Sequence, residues 1–345
     1  MYPGLFGRKP LISISLLVLL GLLQSPAQAD EVNVYSARKE ALILPLLEKF
    51  KAESGISFNL ITAKEDELLK RLEAEGRATP ADVFITTDAG RLQRAKDAGV
   101  LRAVDNPVLN ARIPQNLRDQ DGYWFGLSQR ARIIFYAKDR VDSSELSTYE
   151  ALSDSRWYER VCIRSSGNIY NQSLVASMIE ADGAEKAEAW ARGLVANLAR
   201  KPAGGDTDQL RAAAAGQCDI AVANTYYYGR LASSDKEADQ KVASALGVFW
   251  PNQDDRGAHV NVSGAGITLH AKHPEAAERL LEFLVNAESQ TWYAEVNNEY
   301  PVVKDAQTSE LLKSFGEFKS DSLNLSRLGE NNRAAVQLMD RAGWR

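Results

Sequence analysis

The stretch Ile220-Ala-Val-Ala-Asn-Thr-Tyr-Tyr-Tyr228 changes character halfway along its length. Residues 220–223 are all apolar, which predicts a buried β-strand. Asn224 and Thr225 then have side chains that cap helices, and a helical pattern follows them. A strand that turns into a helix marks the edge at which open α/β sheets bind their ligands. The stretch therefore predicts an α/β fold with Tyr226 and its two neighbours at a ligand edge.

The chain before this stretch alternates between strand and helix patterns. Residues 32–35, 56–61 and 80–88 have strand character, and the amphipathic segments 41–50 and 65–75 lie between them. Such alternation predicts a mixed, mostly parallel sheet with helices on both faces and its ligand edge at the C-terminal ends of the strands. A segment rich in Pro and Asn, residues 106–121, is predicted to be a loop.

The length of 345 residues, of which 45% are hydrophobic and 25% charged, is enough for two domains with separate cores. The apolar strand at 130–136 is predicted to cross into the second domain, and the strand at 260–269 is predicted to return. The helical tail, 308–344, is expected to pack on domain two. The predicted boundaries are 30–131 plus 259–303 for domain one and 132–258 plus 304–345 for domain two.

Residues 1–29 have the layout of a secretory signal peptide. Arg8 and Lys9 form the positive region, residues 11–23 the apolar run, and the small residues of 25–29 a cleavage site. We expect the mature chain to begin at Asp30. Since no cysteine follows the cleavage site, a lipid anchor is not expected, and the pattern indicates a soluble protein exported to a bacterial periplasm.

The charge and the cysteines restrict partners and compartment. A net charge of −5 without a cluster of Lys and Arg argues against nucleic acid as a partner. The two cysteines, Cys162 and Cys218, both lie at or near predicted strands of one sheet. In an oxidising compartment we expect them to form a disulfide, which would stabilise the fold by about 4 kcal/mol. Two separate buried thiols are the alternative.

None of the common catalytic motifs is present in the sequence. It contains no Gly-x-Ser-x-Gly elbow, no phosphate-binding Gly-x-x-x-x-Gly-Lys-Ser/Thr loop and no Cys-x-x-Cys. The three histidines, His259, His270 and His273, do not have the spacing of a zinc site. The sequence therefore predicts a protein that is not an enzyme.

Three tyrosines follow predicted strands of domain two, namely Tyr170, Tyr226 and Tyr227. Adjacent tyrosines alone are more typical of a stacking surface than of a metal site. Three phenolate oxygens, however, are hard anionic donors that would neutralise Fe(III) and leave coordination positions for a small anion. If the three strand ends converge on one cleft, these tyrosines are the predicted metal ligands.

An anion beside such a metal ion requires positively charged partners. Arg38 follows the first strand, and Arg130 and Arg132 stand at the entrance of the strand at 130–136. The planar guanidinium fork matches carbonate or phosphate, and the helix N-terminus behind Ser166 and Asn168 would add backbone N–H donors.

The chain resembles the ferric-iron-binding periplasmic proteins of bacterial ABC transporters over nearly the whole predicted mature length. The resemblance depends on these motifs: Val34-Tyr-Ser-Ala-Arg38, Pro80-Ala-Asp-Val-Phe-Ile-Thr-Thr-Asp88, Arg130-Ala-Arg132, Arg164-Ser-Ser-Gly-Asn-Ile-Tyr-Asn171, Asn197-Leu-Ala-Arg-Lys-Pro-Ala-Gly-Gly-Asp206, Asn224-Thr-Tyr-Tyr-Tyr-Gly229 and Asn298-Glu-Tyr-Pro301. It implies the two-lobed, type II periplasmic binding protein fold, which closes at a hinge over a cleft between the lobes. It also implies that Tyr226 and Tyr227 are the paired ligands, that Tyr228 is not a ligand, and that a monomer delivers Fe(III) to an inner-membrane ABC permease.

The sequence departs from the family pattern after the first strand. Many members carry His, or His and Tyr, as ligands there, whereas this chain has Arg38-Lys39-Glu40. It therefore resembles the branch in which only domain-two tyrosines bind iron and a synergistic carbonate or bicarbonate, held by Arg38 or Arg130, completes the coordination. Some members place a carboxylate ligand near Thr87 and Asp88, and whether these two residues contribute here stays open.

Two other functions are compatible with parts of this pattern. A binding protein for an organic cation or a small anion could use the tyrosines as an aromatic box. Such boxes usually draw on both domains and include Trp. An exported hydrolase or transferase is the third interpretation, but it would need a nucleophile motif that the sequence lacks.

Overall fold

The computed structural model of the protein describes residues 1–4 and 30–345. The charged, apolar and cleavage regions of the predicted signal peptide therefore lie outside the described residues. Within the described parts of the chain, no helix combines the length and the apolar character that crossing a membrane requires.

Within residues 30–345, eight strands form one continuous mixed sheet: β1 (Glu31–Ser36), β2 (Ser57–Thr62), β3 (Val83–Thr87), β4 (Phe125–Ala137), β5 (Val161–Cys162), β6 (Ile220–Asn224), β7 (Leu246–Phe249) and β8 (Val260–Ile267). Their order is β2-β1-β3-β8-β4-β6-β5, and β7 also pairs with β4. The pairs β1–β2, β1–β3 and β5–β6 are parallel, whereas β4 and β8 run antiparallel to all their neighbours. The predicted α/β class with a mixed sheet is confirmed.

The long strand β4 changes partner in the middle of its length. Its first half pairs with β8 as far as Ala131, opposite Val260, and its second half pairs with β6 from Arg132, opposite Asn224. We call β1, β2, β3, β8 and the first half of β4 the sheet of the first lobe. The second half of β4 forms the sheet of the second lobe with β5, β6 and β7. The sequence predicted the crossing between domains at this point, and the domain boundaries themselves stay a prediction.

Helices cover this sheet. The α-helices of the described chain are α1 (Leu44–Ser54), α2 (Glu65–Glu75), α3 (Ala89–Asp97), α4 (Pro107–Arg112), α5 (Ile169–Asp182), α6 (Ala184–Ala196), α7 (Asp206–Ala214), α8 (Thr225–Ala232), α9 (Glu237–Ala245), α10 (Pro274–Leu284), α11 (Ala287–Val296), α12 (Glu310–Lys313), α13 (Ser326–Glu330) and α14 (Asn332–Arg341), and short 3-10 helices lie between some of them. α3 and α10 both contact β8, which is buried along its whole length.

The helix α4 lies inside the predicted loop 106–121, so that part of the prediction is wrong. Its N-cap is Asn106, whose side chain accepts hydrogen bonds from the backbone N–H groups of Val108 and Leu109.

The C-terminal tail contacts both lobes. Its last helix, α14, packs on α5 and α6 of the second lobe, as the sequence predicted. The preceding helix, α13, also packs on α3 of the first lobe, where Gly329 lies directly against Gln93. Just before α13, the backbone N–H of Leu325 donates to the carbonyl of Asn116 at 3.0 Å. The tail therefore forms a further connection between the lobes, beside β4 and β8.

The two cysteines are joined in the second lobe. Cys162 ends β5, Cys218 lies two residues before β6, and their Cα atoms are 5.9 Å apart in a disulfide. The parallel pairing of β5 with β6 brings the two residues together. The predicted disulfide is confirmed.

Candidate functional site

Two helix N-termini of the second lobe carry the three predicted tyrosines. β6 ends at Asn224, and Tyr226 and Tyr227 lie in the first turn of α8 directly after it. Tyr170 lies in the first turn of α5, where Asn168 is the N-cap and its Oδ1 accepts the N–H of Tyr170 at 3.2 Å. The hydroxyl oxygens of Tyr170 and Tyr226 are 3.3 Å apart. The strand ends therefore bring together side chains that are far apart in the sequence.

The phenols of the pair on α8 are held in an environment that favours the protonated form. Their ring centroids are 4.3 Å apart. Burial, reinforced by the neighbouring phenols Tyr170 and Tyr227, raises the pKa of Tyr226 well above its ordinary value. Burial, and then the proximity of Tyr170, raises the pKa of Tyr227 to about 12. At neutral pH both side chains are neutral, so a cation that binds their oxygens as phenolates must displace their protons.

Tyr228, the third residue of the triplet, points into the core. Its ring stacks on Phe135 with centroids 5.0 Å apart and meets the edge of Phe315 at 5.3 Å. Its hydroxyl donates to the carbonyl oxygen of Ala243 at 3.2 Å. Tyr228 therefore takes part in packing, and it is not among the residues that line the cavity described next.

A cavity of about 280 Å³ lies between the lobes in front of the three tyrosines. Its first-lobe wall includes Arg38, Lys39, Glu65, Thr87, Arg91 and Glu299, and its second-lobe wall includes Arg164, Asn168, Tyr170, Tyr226, Tyr227 and Arg230. Five of these residues are Arg or Lys and two are Glu, which makes the wall electropositive. Such a cavity favours an anionic ligand, or a metal ion that brings an anion with it.

Two of the first-lobe arginines already have carboxylate partners. Arg38 is buried, and its Nη2 donates to Oε2 of Glu299 at 2.9 Å. The hydroxyl of Ser128 donates to the same oxygen at 2.7 Å. Arg91 forms an ion pair with Glu65. Arg38 therefore lines the cavity as predicted, but part of its guanidinium group is held by Glu299.

The cations of the second-lobe wall are less completely paired. Arg230 forms no ion pair among the described residues, and its guanidinium carbon lies 4.8 Å from the ring centroid of Tyr226 and 5.6 Å from that of Tyr227. Arg164 is 3.9 Å from Oδ1 of Asp206, beyond hydrogen-bond distance. Both groups can therefore interact with an anion in the cavity.

Arg130 is buried behind Tyr170. Its guanidinium carbon lies 5.6 Å from the ring centroid of Tyr170, and its Nη1 makes a long hydrogen bond of 3.5 Å to Ser263. Its Nη2 is buried without a hydrogen-bond partner, and the nearest carboxylate oxygen, on Asp88, is 3.9 Å away. A buried N–H group without a partner is unusual. Arg130 is not among the residues that line the cavity, so an anion would have to pass the ring of Tyr170 to reach it.

The other predicted positions divide between the cavity and its surroundings. Asn168 and Thr87 line the cavity, whereas Ser166 is not among its lining residues. Asp88 is fully buried, and its oxygens accept hydrogen bonds from the backbone of Gly90, from Ser173 at 2.7 Å and from Asn261 at 2.9 Å. These bonds occupy the Asp88 carboxylate, and Asp88 is not among the residues that line the cavity.

Several charged residues of the cavity were not predicted from the sequence. Arg230 was detectable, because it lies four residues after Tyr226 and therefore on the same face of α8. Glu299 lies in the quoted motif Asn298-Glu-Tyr-Pro301, but nothing in its local sequence connects it with Arg38. Among the described residues no group of three or more His, Cys, Asp and Glu side chains could hold a metal ion.

The model of one protein family, described as bacterial extracellular solute-binding protein, matches residues 46–320. The chain is 47% identical to iron uptake protein A1 of Synechocystis sp. (strain ATCC 27184 / PCC 6803 / Kazusa), an alignment that covers 93% of this chain and 89% of that protein. It is 25% identical to the Fe(3+)-binding periplasmic protein of Serratia marcescens, over 98% of this chain and 97% of that protein. The structure of a Trichodesmium protein (IdiA, FutA) in complex with iron and citrate ligands superposes with a TM-score of 0.89 at 50% identity, covering 91% of this chain and 100% of that chain.

Proposed function

The chain belongs to the family of bacterial extracellular solute-binding proteins, and from this premise we propose that it binds Fe(III) in the periplasm. Its relatives are binding and transport proteins, so it is a solute-binding protein and not an enzyme. The relatives in Synechocystis and Serratia are named for iron uptake and for Fe(3+) binding. The proposal assigns the same cargo to the cavity between the lobes of this chain.

The convergence of the three tyrosines is the observation that supports iron as the cargo. The hydroxyls of Tyr170 and Tyr226 are 3.3 Å apart, and the ring of Tyr227 lies beside that of Tyr226. Oxygen atoms this close can bind one metal ion at the same time. Three phenolates carry three negative charges, which match a hard trivalent cation better than a divalent one. We assign Tyr170, Tyr226 and Tyr227 as the ligands of Fe(III).

The electropositive wall supports a synergistic anion beside the iron. We propose carbonate or bicarbonate, held by Arg130 or Arg38, because Nη2 of Arg130 and Nε of Arg38 are both buried without a hydrogen-bond partner. Arg38 lines the cavity, but Glu299 occupies its Nη2, whereas Arg130 has no close carboxylate partner and lies behind the cavity wall. Asn168, at the N-terminus of α5, faces the same cavity, and Arg164 and Arg230 add positive charge. The Trichodesmium relative binds iron with citrate, so a polycarboxylate is the other anion to be tested.

We propose that this monomeric protein, once exported, delivers its iron to an inner-membrane ABC permease. The lobes would open by a hinge near Arg130 and His259, where β4 and β8 pass between them. A cavity enclosed by two lobes must open before it can release a bound ion. Residues 30–131 with 259–303 and residues 132–258 with 304–345 would be the moving bodies.

Metal loading of the purified protein is the direct test. Protein stripped of metal is titrated with Fe(III), supplied as a weak chelate, with and without bicarbonate. We expect one iron per chain and a visible absorption band from phenolate-to-iron charge transfer, which is stronger when bicarbonate is present. A protein that stays colourless and takes up no iron would contradict the proposal.

The aromatic-box alternative receives no support from the cavity, whose described lining holds no Trp and no first-lobe aromatic residue.

A further inference from the structure

Arg132 is buried in the second lobe behind the tyrosines and does not line the cavity. It stands on β4, opposite Asn224 of β6. Its Nε and Nη2 donate to Oδ1 of Asn171 at 3.1 and 2.7 Å. Its Nη1 donates to Oδ2 of Asp206 at 3.0 Å and to Oδ1 of Asn224 at 3.1 Å. One guanidinium group therefore joins the side chains of three different segments.

Two of these partners are neighbours of the tyrosines in the sequence. Asn171 directly follows Tyr170 in the first turn of α5. Asn224 precedes Tyr226 by two residues, and its Nδ2 lies 3.5 Å from the Tyr226 hydroxyl. The third partner, Asp206, also contacts the segment before Tyr226, because its Oδ2 accepts the backbone N–H of Asn224 at 3.0 Å. Both tyrosine-bearing helix starts are thus tied to Arg132.

The partners of Arg132 also fix the loop before α5. Nδ2 of Asn171 donates to the carbonyl of Arg164 at 2.8 Å and to that of Ser165 at 3.1 Å. Asn171 uses its oxygen for Arg132 and its nitrogen for this loop, so it cannot rotate without losing both sets of bonds. The position of Tyr170 therefore depends on Arg132 through a fully hydrogen-bonded chain.

The chemistry of the network requires arginine in particular. Arg132 and Asp206 form a buried ion pair with both side chains almost fully inaccessible, which is stable only when the hydrogen bonds of both charges are satisfied. A planar guanidinium group can donate in several directions at once, as it does here to Asn171, Asp206 and Asn224. A lysine ammonium group is a single point and cannot reach all three acceptors.

We propose that Arg132 is a positioning residue of the iron site: it sets the distance between the phenols of Tyr170 and Tyr226 without touching the cargo. The proposal rests on the proposed function for the identity of the cargo. The spacing of the two phenols is a property of the iron-free protein and can be measured without any metal. Residues that orient metal ligands in this way typically change metal affinity by about 10- to 100-fold when they are replaced.

The test compares Arg132→Lys with the matched variant Arg140→Lys. Arg140 lies three residues after the end of β4 and also donates to an aspartate, Asp219, at 2.7 Å. For Arg132→Lys we expect at least about tenfold weaker Fe(III) binding and a shifted charge-transfer band. A crystal structure of the iron-free variant should show the Tyr170 and Tyr226 hydroxyls farther apart than the 3.3 Å described here. Arg140→Lys should match the wild type in iron affinity, band position and hydroxyl spacing.

A second variant covers the case in which Arg132→Lys does not fold. Asn171→Ser shortens the acceptor and breaks its bonds to Arg132, while the Arg132–Asp206 pair stays in place. It should weaken iron binding and shift the band in the same direction as Arg132→Lys. The proposal is overturned if the folded variants keep the wild-type hydroxyl spacing and band, even when their stability is lower. If the wild type itself binds no iron, the proposed function fails, and the spacing in the iron-free structures still decides whether Arg132 positions the phenols.

Discussion

The hydroxyl oxygen of Tyr226 lies 3.3 Å from that of Tyr170, although the two residues are 56 positions apart and begin different helices. Neither residue could hold a metal ion alone. The contact exists because β5 and β6 are parallel neighbours in the second-lobe sheet. The segments that lead from them to Tyr170 and Tyr226 therefore leave the sheet at the same edge. The sheet therefore determines which side chains meet at the site.

The tyrosine triplet allows three neighbouring variants to be compared. Tyr226→Phe and Tyr227→Phe each remove an oxygen that faces the cavity, so we expect loss or a shift of the visible band and at least about 100-fold weaker Fe(III) binding. Tyr228→Phe removes a hydroxyl that bonds only to Ala243 in the core, so iron binding should persist. Absorption spectra and competition with a chelator measure both effects. Bleaching by Tyr228→Phe but not by Tyr226→Phe would show that the ligands have been assigned to the wrong tyrosines.

Iron binding should release protons, because the phenols are protonated in the iron-free protein. Burial raises the pKa of Tyr227 to about 12 and that of Tyr226 above its ordinary value. The bound form therefore has fewer protons than the free form at every pH below these values, and affinity must fall as the pH falls. Acidification with a chelator present should bleach the protein.

The number of protons gives a sharper measurement than the colour. In weakly buffered solution, a pH-stat records the protons released per iron bound. Tyr227→Phe should release one proton fewer than the wild type, and Tyr228→Phe should release the same number as the wild type. Equal release by all three proteins would mean that Tyr227 does not bind as a phenolate.

His259, at the point where the chain returns to the first lobe, should make the fold sensitive to acid. Burial, together with the positive charges of Arg132, Arg130 and Arg256, lowers the pKa of His259 to about 3. In the unfolded chain His259 has a pKa of about 6.5. At pH values between about 3 and about 6.5, only the unfolded state binds the proton, so the free energy of unfolding falls as the pH falls. Between pH 7.5 and pH 5 the loss due to His259 is about 2 kcal/mol.

His259→Gln should remove that part of the pH dependence. Urea unfolding of the iron-free protein at the two pH values gives the change in the free energy of unfolding for each variant. We expect the change to be about 2 kcal/mol smaller for His259→Gln than for the wild type. The same change in both proteins would show that His259 is not kept neutral by the fold.

The hinge prediction can be tested at a hydrogen bond between the lobes. The hydroxyl of Ser173, on α5, donates to the carboxylate of Asp88, in the first lobe, at 2.7 Å. Ser173→Ala removes this bond, so in the iron-free protein we expect more of the open form and a larger radius of gyration by small-angle scattering. Ser177→Ala is the matched control, because Ser177 lies on the same helix and donates only to Leu174. An equal radius of gyration for the two variants would count against opening at this contact.

The sequence was sufficient to predict the elements that have strong local signals. Residues 220–223 are apolar and Asn224 is a capping type, so β6, the start of α8 and the position of Tyr226 were predictable. The helix α4 was missed because it has only six residues, although Asn106 and Pro107 are a typical helix start. A short helix produces too little periodicity to outweigh a composition rich in Pro and Asn.

Long-range contacts account for what the sequence analysis could not predict. Arg38 and Glu299 are 261 positions apart, and no local pattern indicates that they form an ion pair in the cavity. That pair leaves Nε of Arg38 without a hydrogen-bond partner, as Nη2 of Arg130 also is, and both features are visible only in three dimensions. The contact of α13 with α3 is of the same kind, since it depends on how the lobes are arranged and not on the helical pattern of the tail.

The tail should stabilise the arrangement of the lobes through Gly329. A Cβ atom at this position would lie 2.2 Å from Cβ of Gln93 on α3, so any larger residue must push α13 and α3 apart. We expect Gly329→Ala to cost about 1–3 kcal/mol in the free energy of unfolding and to increase the radius of gyration of the iron-free protein. Gln93→Gly removes the atoms that the new methyl group meets, so the double variant should recover part of the loss measured for Gly329→Ala. Urea unfolding of the wild type, both single variants and the double variant measures this coupling. If Gly329→Ala is as stable and as compact as the wild type, the tail does not hold the two lobes together.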